Sequence, residues 1–153
     1  MTYHRQTHSC MIAVNTYLYY EEANEYCAKT YTGGHLVYIL DEETDTFITR
    51  NLVTDRNWYY IGLSDKEENG VYKWINGKNV SYIGWFFKKH IPERDRVYVV
   101  ASWDGWIEVF DAPRKFICQV FRVLFSLKNN VWIHFATAVY FEQLRFIILL
   151  CLK

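Results

Sequence analysis

The sequence has little proline, little glycine and no excess of charge of either sign. It contains 2 Pro and 7 Gly in 153 residues, and 17 basic and 17 acidic side chains give a formal net charge of zero at pH 7. This balance argues against the strongly basic surface of nucleic-acid-binding domains, so no nucleic-acid partner is expected. Hydrophobic residues make up 51% of the chain, which excludes a disordered or collagen-like protein.

Sequence motifs that carry catalytic chemistry are also missing. The chain has no phosphate-binding loop, dinucleotide fingerprint or nucleophile elbow. His4, His8 and Cys10 have a spacing that could bind zinc, but they lie at an amino terminus that we expect to be frayed. We therefore predict that the protein is not an enzyme and has no metal site and no cofactor.

Aromatic residues, in contrast, are abundant. They number 6 Trp, 13 Tyr and 10 Phe, or 19% of the chain. This content favours a compact, loop-rich domain with short strands, and the length suits one such domain. The charge divides at about residue 118, with 13 bases and 16 acids up to that point and four bases and one acid after it. We interpret the two parts as separate objects.

Local patterns predict an α+β domain. Helices are expected over 20–29 and 41–52, because each segment has an apolar face with acids in its first turns, and Asp41 is a good N-cap for the second. Segments with the composition of short strands are 10–14, 35–39, 59–63, 72–75, 98–101, 106–110 and 115–120.

The four cysteines lack the close spacing of a zinc ribbon or a redox pair. A long-range disulfide is the better interpretation, and it would place the protein outside the reducing cytosol. The amino terminus has no apolar stretch of the length that a signal peptide requires. Either the chain lacks its true start or the oxidised interpretation is wrong, and we prefer the first.

Taken in order, these segments resemble a C-type lectin-like domain over roughly residues 8 to 120. Residues 20–27 look like the first helix of that family, and 33–39 are similar to its Gly-Gly-His-Leu strand. Tyr60-Ile61-Gly62-Leu63 resembles its Trp-Ile-Gly-Leu motif, and Phe116-Ile117-Cys118 its closing strand. The resemblance implies two helices packed on short antiparallel sheets, with a long binding loop.

The resemblance also implies a disulfide between Cys27 and Cys118, the alternative being two buried free thiols. The positions that correspond to the family's second bridge are Val97 and Asp111, so that bridge is missing. Cys10 corresponds to a cysteine that pairs upstream in longer members. Here it is expected to be unpaired through truncation, to pair between molecules, or to pair with Cys151.

Sugar-binding members of the family hold calcium through a Glu-Pro-Asn or Gln-Pro-Asp triplet and a Trp-Asn-Asp triplet. The corresponding stretches are Ile91-Pro92-Glu93 and Trp106-Ile107-Glu108. Isoleucine cannot ligate an ion that takes about six to eight oxygens. We therefore expect recognition without calcium.

The remaining surface of the long loop is hydrophobic and basic, which favours a protein or glycan ligand. Trp85 and Trp106 are assigned to the core. The predicted ligand-binding residues are Phe86, Phe87, Lys88, Lys89, Glu93, Trp103 and Glu108. The alternative function is a calcium-dependent carbohydrate-binding lectin that uses the residual loop acids, which are Glu93, Asp95, Asp104 and Glu108.

Two further features bear on location. Asn79-Val80-Ser81 is an N-glycosylation acceptor if the chain is extracellular or secreted, as we expect. Residues 131–152 are long enough to span a bilayer, but Glu142 and Arg145 oppose insertion. A membrane anchor, a segment that covers the domain, and sequence unrelated to a working domain all stay open, and we favour the last.

These observations divide the chain into three parts. They are a truncated amino-terminal segment (1–9), a C-type lectin-like domain (10–120) and a hydrophobic carboxy-terminal tail (121–153).

Overall fold

The computed structural model of the chain describes residues 1–66, 70–86 and 97–121, and the backbone of two short strands beyond them. The helices are α1 (Tyr20–Thr30) and α2 (Glu42–Asn51). The strands are β1 (Thr2–His4), β2 (Ser9–Leu18), β3 (Gly34–Leu36), β4 (Tyr59–Ser64), β5 (Lys73–Trp74), β6 (Tyr98–Ser102), β7 (Gly105–Val109), β8 (Arg114–Phe121), β9 (Leu127–Lys128) and β10 (Val131–Trp132).

The strands β1 to β8 form one mixed sheet in the order β1-β2-β8-β4-β6-β7, with β3 on β8 and β5 on β4. β4 and β8 run parallel, with Tyr59 opposite Lys115, whereas the other pairs in this sheet are antiparallel. We predicted only antiparallel pairing. As a result, β4, β7 and β8 all begin at the same end of the sheet, where β2 and β6 end. We call this end the loop end.

Both predicted helices are confirmed. The α2 helix follows Asp41, whose side chain accepts a hydrogen bond of 2.7 Å from the Thr44 amide. In α1, Ala23 and Cys27 face the interior and are fully buried, while Glu21 and Glu22 occupy the first turn, where the helix dipole favours acids.

The amino-terminal segment differs from our expectation of a frayed end. β1 pairs with β2, with Tyr3 opposite Cys10. His4 is only 4% exposed, and its ring lies 4.4 Å from that of Phe47 in α2. A short polar strand such as Thr2–His4 has no apolar alternation, so its pairing cannot be seen in the local sequence.

The core consists of two buried clusters, and β4 contributes to both. Ile61 and Leu63 belong to the cluster that contains Trp74 and Trp106, whereas Tyr60 belongs to the cluster that contains the disulfide. This division follows from the alternation of side chains along a strand. Gly62 lies between them because a Cβ atom there would be 2.9 Å from the Leu36 carbonyl oxygen. The backbone closest to Gly62 is thus the end of β3 and the residue that follows it, Val37.

Cys27 and Cys118 form the predicted disulfide, with their Cα atoms 5.4 Å apart. It joins α1 to β8 inside the second cluster. Cys10 is 4% exposed and is disulfide-bonded as well, so it is not an orphan thiol. Cys151 lies outside the described residues.

Within the described ranges, no helix has the length and apolar character needed to cross a membrane. β9 and β10 pair with each other in a separate two-stranded sheet. The rest of the tail lies outside the described residues, so the three interpretations of it stay as predictions.

Candidate functional site

Trp106, the first buried side chain of β7, organises the loop end of the sheet. It is 1% exposed, and its indole Nε1 donates a hydrogen bond of 3.0 Å to the Asp45 carboxylate. The Tyr82 hydroxyl donates to the other oxygen of the same carboxylate at 2.9 Å. Trp106 is therefore a core residue, as predicted, and Asp45 joins α2 to two aromatic side chains.

Asp45 is a structural residue that was not predicted from the sequence. Burial raises the pKa of its carboxyl, and the hydrogen bonds from Trp106 and Tyr82 oppose that rise. An acid in the first turns of a helix is usually explained by its favourable interaction with the positive end of the helix dipole. The local sequence carries no signal for partners 37 and 61 residues away.

The segment that carries Phe86 is fixed to β7 by main-chain hydrogen bonds. The Trp106 amide donates to the Gly84 carbonyl at 2.8 Å, and the Phe86 amide donates to the Trp106 carbonyl at 3.0 Å. A Cβ atom on Gly84 would lie 2.6 Å from the Asp45 carboxylate and 2.7 Å from the Trp106 ring. This close fit leaves room only for glycine and sets the position of the two residues that follow.

Phe86 and Trp103 are both exposed at the loop end. Phe86 is 42% exposed and Trp103 is 57% exposed. The turn from β6 to β7 carries Trp103 and ends at Gly105, and a Cβ atom on Gly105 would lie 3.0 Å from the Phe86 Cα atom. This backbone contact places the turn that carries Trp103 next to the segment that carries Phe86. The other predicted loop residues, which lie outside the described part of the chain, are Phe87, Lys88, Lys89, Glu93 and Asp95.

Glu108 lies on β7, two residues beyond Trp106, and is half-buried. Its carboxylate accepts a hydrogen bond from the Tyr72 hydroxyl, and the Tyr72 ring meets Trp85 edge-on at 5.5 Å. Burial, with a smaller contribution from the nearby Asp65 charge, raises the pKa of Glu108 to about 7. Glu108 therefore carries only part of a negative charge near neutral pH.

The described part of the family's calcium position does not fit that ion. Ile107 packs in the second hydrophobic cluster and lies opposite Val100 in the sheet, so it offers no oxygen. Glu108 is held by Tyr72 and is partly protonated near pH 7, and Asp104 lies on the exposed turn. Over 1–66, 70–86 and 97–121, no three His, Cys, Asp or Glu side chains are grouped to hold a metal ion.

The histidines considered for zinc are bonded elsewhere. The Nδ1 atom of His4 lies 2.8 Å from the Thr7 hydroxyl, and Nδ1 of His8 lies 3.1 Å from the Tyr3 hydroxyl. Burial also lowers the pKa of His4. With Cys10 in a disulfide, these three residues do not form a ligand set.

The N-glycosylation acceptor lies on the surface. Asn79 is exposed just after β5 and forms an isolated bridge with Lys73. Ser81 is exposed as well. The geometry leaves Asn79 accessible, and its modification stays a prediction.

A family model described as the lectin C-type domain matches residues 16–120. The chain belongs to the C-type lectin domain family. The predicted family is confirmed, and the two helices and mixed sheet are those of the family fold. This lectin domain is thus a recognition domain of a kind that occurs in receptors.

Curated relatives match most of the chain at moderate identity. Mouse C-type lectin domain family 6 member A is 29% identical over 122 residues, which cover 75% of this chain. The bovine secretory phospholipase A2 receptor is 33% identical over 125 residues, or 80% of this chain. The matched regions are 57% and 7% of those two proteins, so the lectin domain corresponds to only part of each.

Among solved structures, the carbohydrate-recognition domain of the mouse scavenger receptor C-type lectin has a TM-score of 0.69 at 25% identity. The match covers 80% of this chain and 95% of that domain.

In the lectin domain described here, Asp111 stands at a position of the family's second disulfide. Its carboxylate accepts hydrogen bonds from the Tyr20 amide and the Tyr60 hydroxyl, both at 3.1 Å, and so connects α1 to β4 without a cysteine.

Proposed function

We propose that this lectin domain is a non-catalytic, extracellular recognition module that binds a protein or a glycan without calcium. Its proposed contact residues are Phe86, Phe87, Lys88, Lys89, Glu93, Trp103 and Glu108. The observation that carries the proposal is the pair of exposed aromatic rings at the loop end, Phe86 and Trp103, on backbone segments that are fixed to the core.

Rigid aromatic side chains suit this role. Large rings provide apolar contact area at a small cost in conformational entropy, and they dominate the energetics of many protein interfaces. The hydrogen bonds between Trp106 and the segment 84–86 hold the Phe86 backbone in place before a ligand arrives. A surface organised in advance loses less entropy on binding.

Binding without a metal is supported by the side chains at the family's calcium position. Ile107 contributes only hydrocarbon, and Glu108 is engaged by Tyr72. A calcium site needs several charged or carbonyl oxygens directed at one point. The rival function, a calcium-dependent lectin, depends on Glu93, Asp95, Asp104 and Glu108.

An extracellular location is supported by the Cys27–Cys118 disulfide and by the receptor among the relatives. When the protein is expressed in cells, we expect it to be secreted in oxidised form with a glycan attached at Asn79. A reduced chain retained in the cytosol would contradict this part of the proposal.

A glycan array and calorimetry, each run with calcium and with a chelator, test the calcium question. We expect equal binding in both conditions and no heat of calcium binding. Calcium at about 100 times its dissociation constant would stabilise a folded protein by about 2.7 kcal/mol, which a thermal melt detects. Binding that is lost in chelator, together with such a stabilisation, would establish the calcium-dependent lectin instead.

Alanine variants test the position of the surface. We expect Phe86→Ala and Trp103→Ala each to weaken binding of the array's best ligand by about tenfold or more, as for buried aromatic anchors of interfaces. Phe110→Ala is the matched control, because Phe110 is 48% exposed but follows the opposite end of β7. If the control variant alone weakens binding, the surface lies elsewhere.

A further inference from the structure

Exposed aromatic side chains continue along the loop end beyond Phe86 and Trp103. The register Tyr59–Ala101 places Trp58, which precedes β4, beside the end of β6, where Trp103 follows. On the other side of β4, β8 begins with Arg114, and β2 ends beside it with Tyr17 and Leu18. Trp58 is 42% exposed and Tyr17 is 54% exposed. Four strand spacings separate β2 from β7, so the row of rings is roughly 20 Å long.

A cleft of about 180 Å³ lies in this row, between the end of β2 and the beginnings of β4 and β8. It is lined by Tyr17, Arg56, Asn57, Trp58, Pro113 and Arg114. This volume is below the range of about 300–1,000 Å³ that is usual for sites of drug-sized ligands. The cleft therefore suits one ring or one charged group rather than a whole ligand.

The cleft presents two guanidinium groups that have no acidic partner among the described residues. The Arg114 guanidinium lies 5.2 Å from the centre of the Trp58 ring, and its Nε atom is buried without a hydrogen-bond acceptor there. Arg56 is exposed beside it. A buried donor without an acceptor is costly, so an incoming anion that accepts from Arg114 would relieve that cost.

The neighbouring carboxylates are already bonded to other groups. Asp55 forms an ion pair with Lys115 at 2.7 Å and accepts from the Tyr59 hydroxyl, and the Lys115 hydrogen bond lowers the pKa of Asp55. Asp111 accepts from the Tyr20 amide and the Tyr60 hydroxyl. These acids therefore leave Arg56 and Arg114 available to a ligand.

We propose that the cleft between Arg56, Trp58 and Arg114 is a second subsite, which binds the sulfate or carboxylate of an acidic saccharide. Guanidinium groups recognise planar and tetrahedral oxyanions through paired hydrogen bonds, while aromatic rings stack on the apolar face of a sugar. The exposed Trp58 ring and the two guanidinium groups beside it therefore offer both kinds of contact within the extent of one sugar residue. The inference rests on the proposed function, because it gives the charge of the ligand that the same end of the domain would bind.

Calorimetry on the full chain tests the subsite with hexasaccharides of chondroitin sulfate, unsulfated chondroitin and chitin, and with hexaglutamate. Chondroitin sulfate carries sulfate and carboxylate groups, unsulfated chondroitin carries carboxylate alone, and chitin is uncharged. Hexaglutamate is a peptide that carries only carboxylates. We expect either acidic saccharide to bind at least about tenfold more tightly than chitin hexasaccharide, and we expect Arg114→Gln or Arg56→Gln to remove that advantage. Stronger binding of chondroitin sulfate would assign the site to sulfate, and equal binding of both acidic sugars to carboxylate.

Arg5→Gln is the matched control, because Arg5 is exposed in the turn between β1 and β2, at the opposite end of the sheet. Arg56 is also exposed, so its variant remains informative if Arg114→Gln fails to fold. Equal binding of the acidic and neutral hexasaccharides, or loss of binding in Arg5→Gln to the same extent, would overturn the subsite. Hexaglutamate that binds as tightly as the sugars, with the same dependence on Arg114, would overturn its assignment to a saccharide.

The aromatic variants separate the two proposals. If Phe86→Ala and Trp103→Ala abolish saccharide binding and the arginine variants leave the affinities unchanged, the proposed function stands and the second subsite is wrong. If the arginine variants alone weaken binding, the subsite stands and the proposed surface around Phe86 is wrong.

Discussion

At the scale of single residues, Asp45 links α2 to two aromatic side chains at the loop end. Its carboxylate accepts hydrogen bonds from the Trp106 indole and the Tyr82 hydroxyl, which come from different parts of the chain. Asp45→Ala would leave both donors without this acceptor. We expect it to lower the free energy of unfolding by about 1–3 kcal/mol, measured by chemical denaturation.

Glu42→Ala is the control for this prediction, because Glu42 is an exposed acid in the first turn of the same helix. It should cost at most about 1 kcal/mol through the helix dipole. Equal losses for Glu42→Ala and Asp45→Ala would mean that the two hydrogen bonds add nothing to stability.

The raised pKa of Glu108 leads to a second prediction at this scale, which concerns how stability depends on pH. Its pKa is about 7 in the folded chain, above the usual value of 4.5, so the folded state holds the proton more tightly than the unfolded state does. The contribution of Glu108 to stability is therefore complete below about pH 4.5 and is lost as the pH rises through 7. We therefore expect Glu108→Gln to raise the melting temperature above that of the natural chain by more at pH 8 than at pH 5. Thermal melts of both proteins at the two pH values measure this difference.

Glu25→Gln provides the comparison, since Glu25 pairs with Lys29 on the exposed side of α1. Its difference from the natural chain should be the same at the two pH values. If Glu108→Gln behaves in the same way, the ionisation of Glu108 is not linked to folding in this range.

Single residues of the two proposed binding regions also show how much of a site can be predicted from sequence. Trp103 was predicted as a binding residue because the family core does not account for it, and the structure leaves it exposed. The contact between its turn and the segment of Phe86 was not predictable, since it depends on the close approach of Gly105 to the Phe86 backbone. Arg114 and Trp58 are 56 residues apart in the chain, and only the parallel pairing of β4 with β8 brings them together.

At the scale of elements, the Cys27–Cys118 disulfide fixes α1 to β8 across a sequence separation of 91 residues. A cross-link over such a long loop restricts the unfolded chain strongly. We expect Cys27→Ala/Cys118→Ala to lose about 2–5 kcal/mol of unfolding free energy. Thermal melts of the oxidised proteins measure the loss.

The double variant avoids leaving one unpaired thiol, which Cys27→Ala alone would create. Addition of a reductant should lower the melting temperature of the natural chain more than that of the double variant. An unchanged melting temperature in the oxidised double variant would refute a stabilising role for this bridge.

The elements themselves were predicted with unequal success, for physical reasons. The two helices were found because an N-cap at Asp41 and an amphipathic pattern are local signals. β1 was missed because Thr2–His4 has no apolar alternation that would indicate a strand, although only a short turn separates it from β2. The predicted strand 35–39 is shorter, Gly34–Leu36. The Val37 amide still donates to the Ile117 carbonyl of β8, but the Val37 carbonyl accepts from the Gly62 amide of β4, so the regular pairing with β8 ends there.

At the scale of the whole molecule, the described domain closes between its first and last long strands. Ser9 at the start of β2 pairs with Phe121 at the end of β8, and β3 covers the same stretch of β8 from the other side. The strand that carries Cys118 thus lies inside the sheet, with β2 and β4 as neighbours. This topology explains why a disulfide on β8 and a motif on β4 belong to one folding unit.

This closure predicts that residues 1–121 fold without the tail. Among the described residues, both core clusters and the Cys27–Cys118 bridge are formed by residues up to 118. We therefore expect the apolar side chains of these clusters to be buried without the later sequence. We expect a chain ending at Phe121 to melt within about 4 °C of the full chain, a difference below about 1 kcal/mol. Cys10→Ala in both chains removes any contribution of the Cys10 disulfide to the comparison. If the shortened chain alone aggregates, or melts far below its full-length partner, residues 122–153 belong to the folding unit, and the interpretation of the tail as a separate object is wrong.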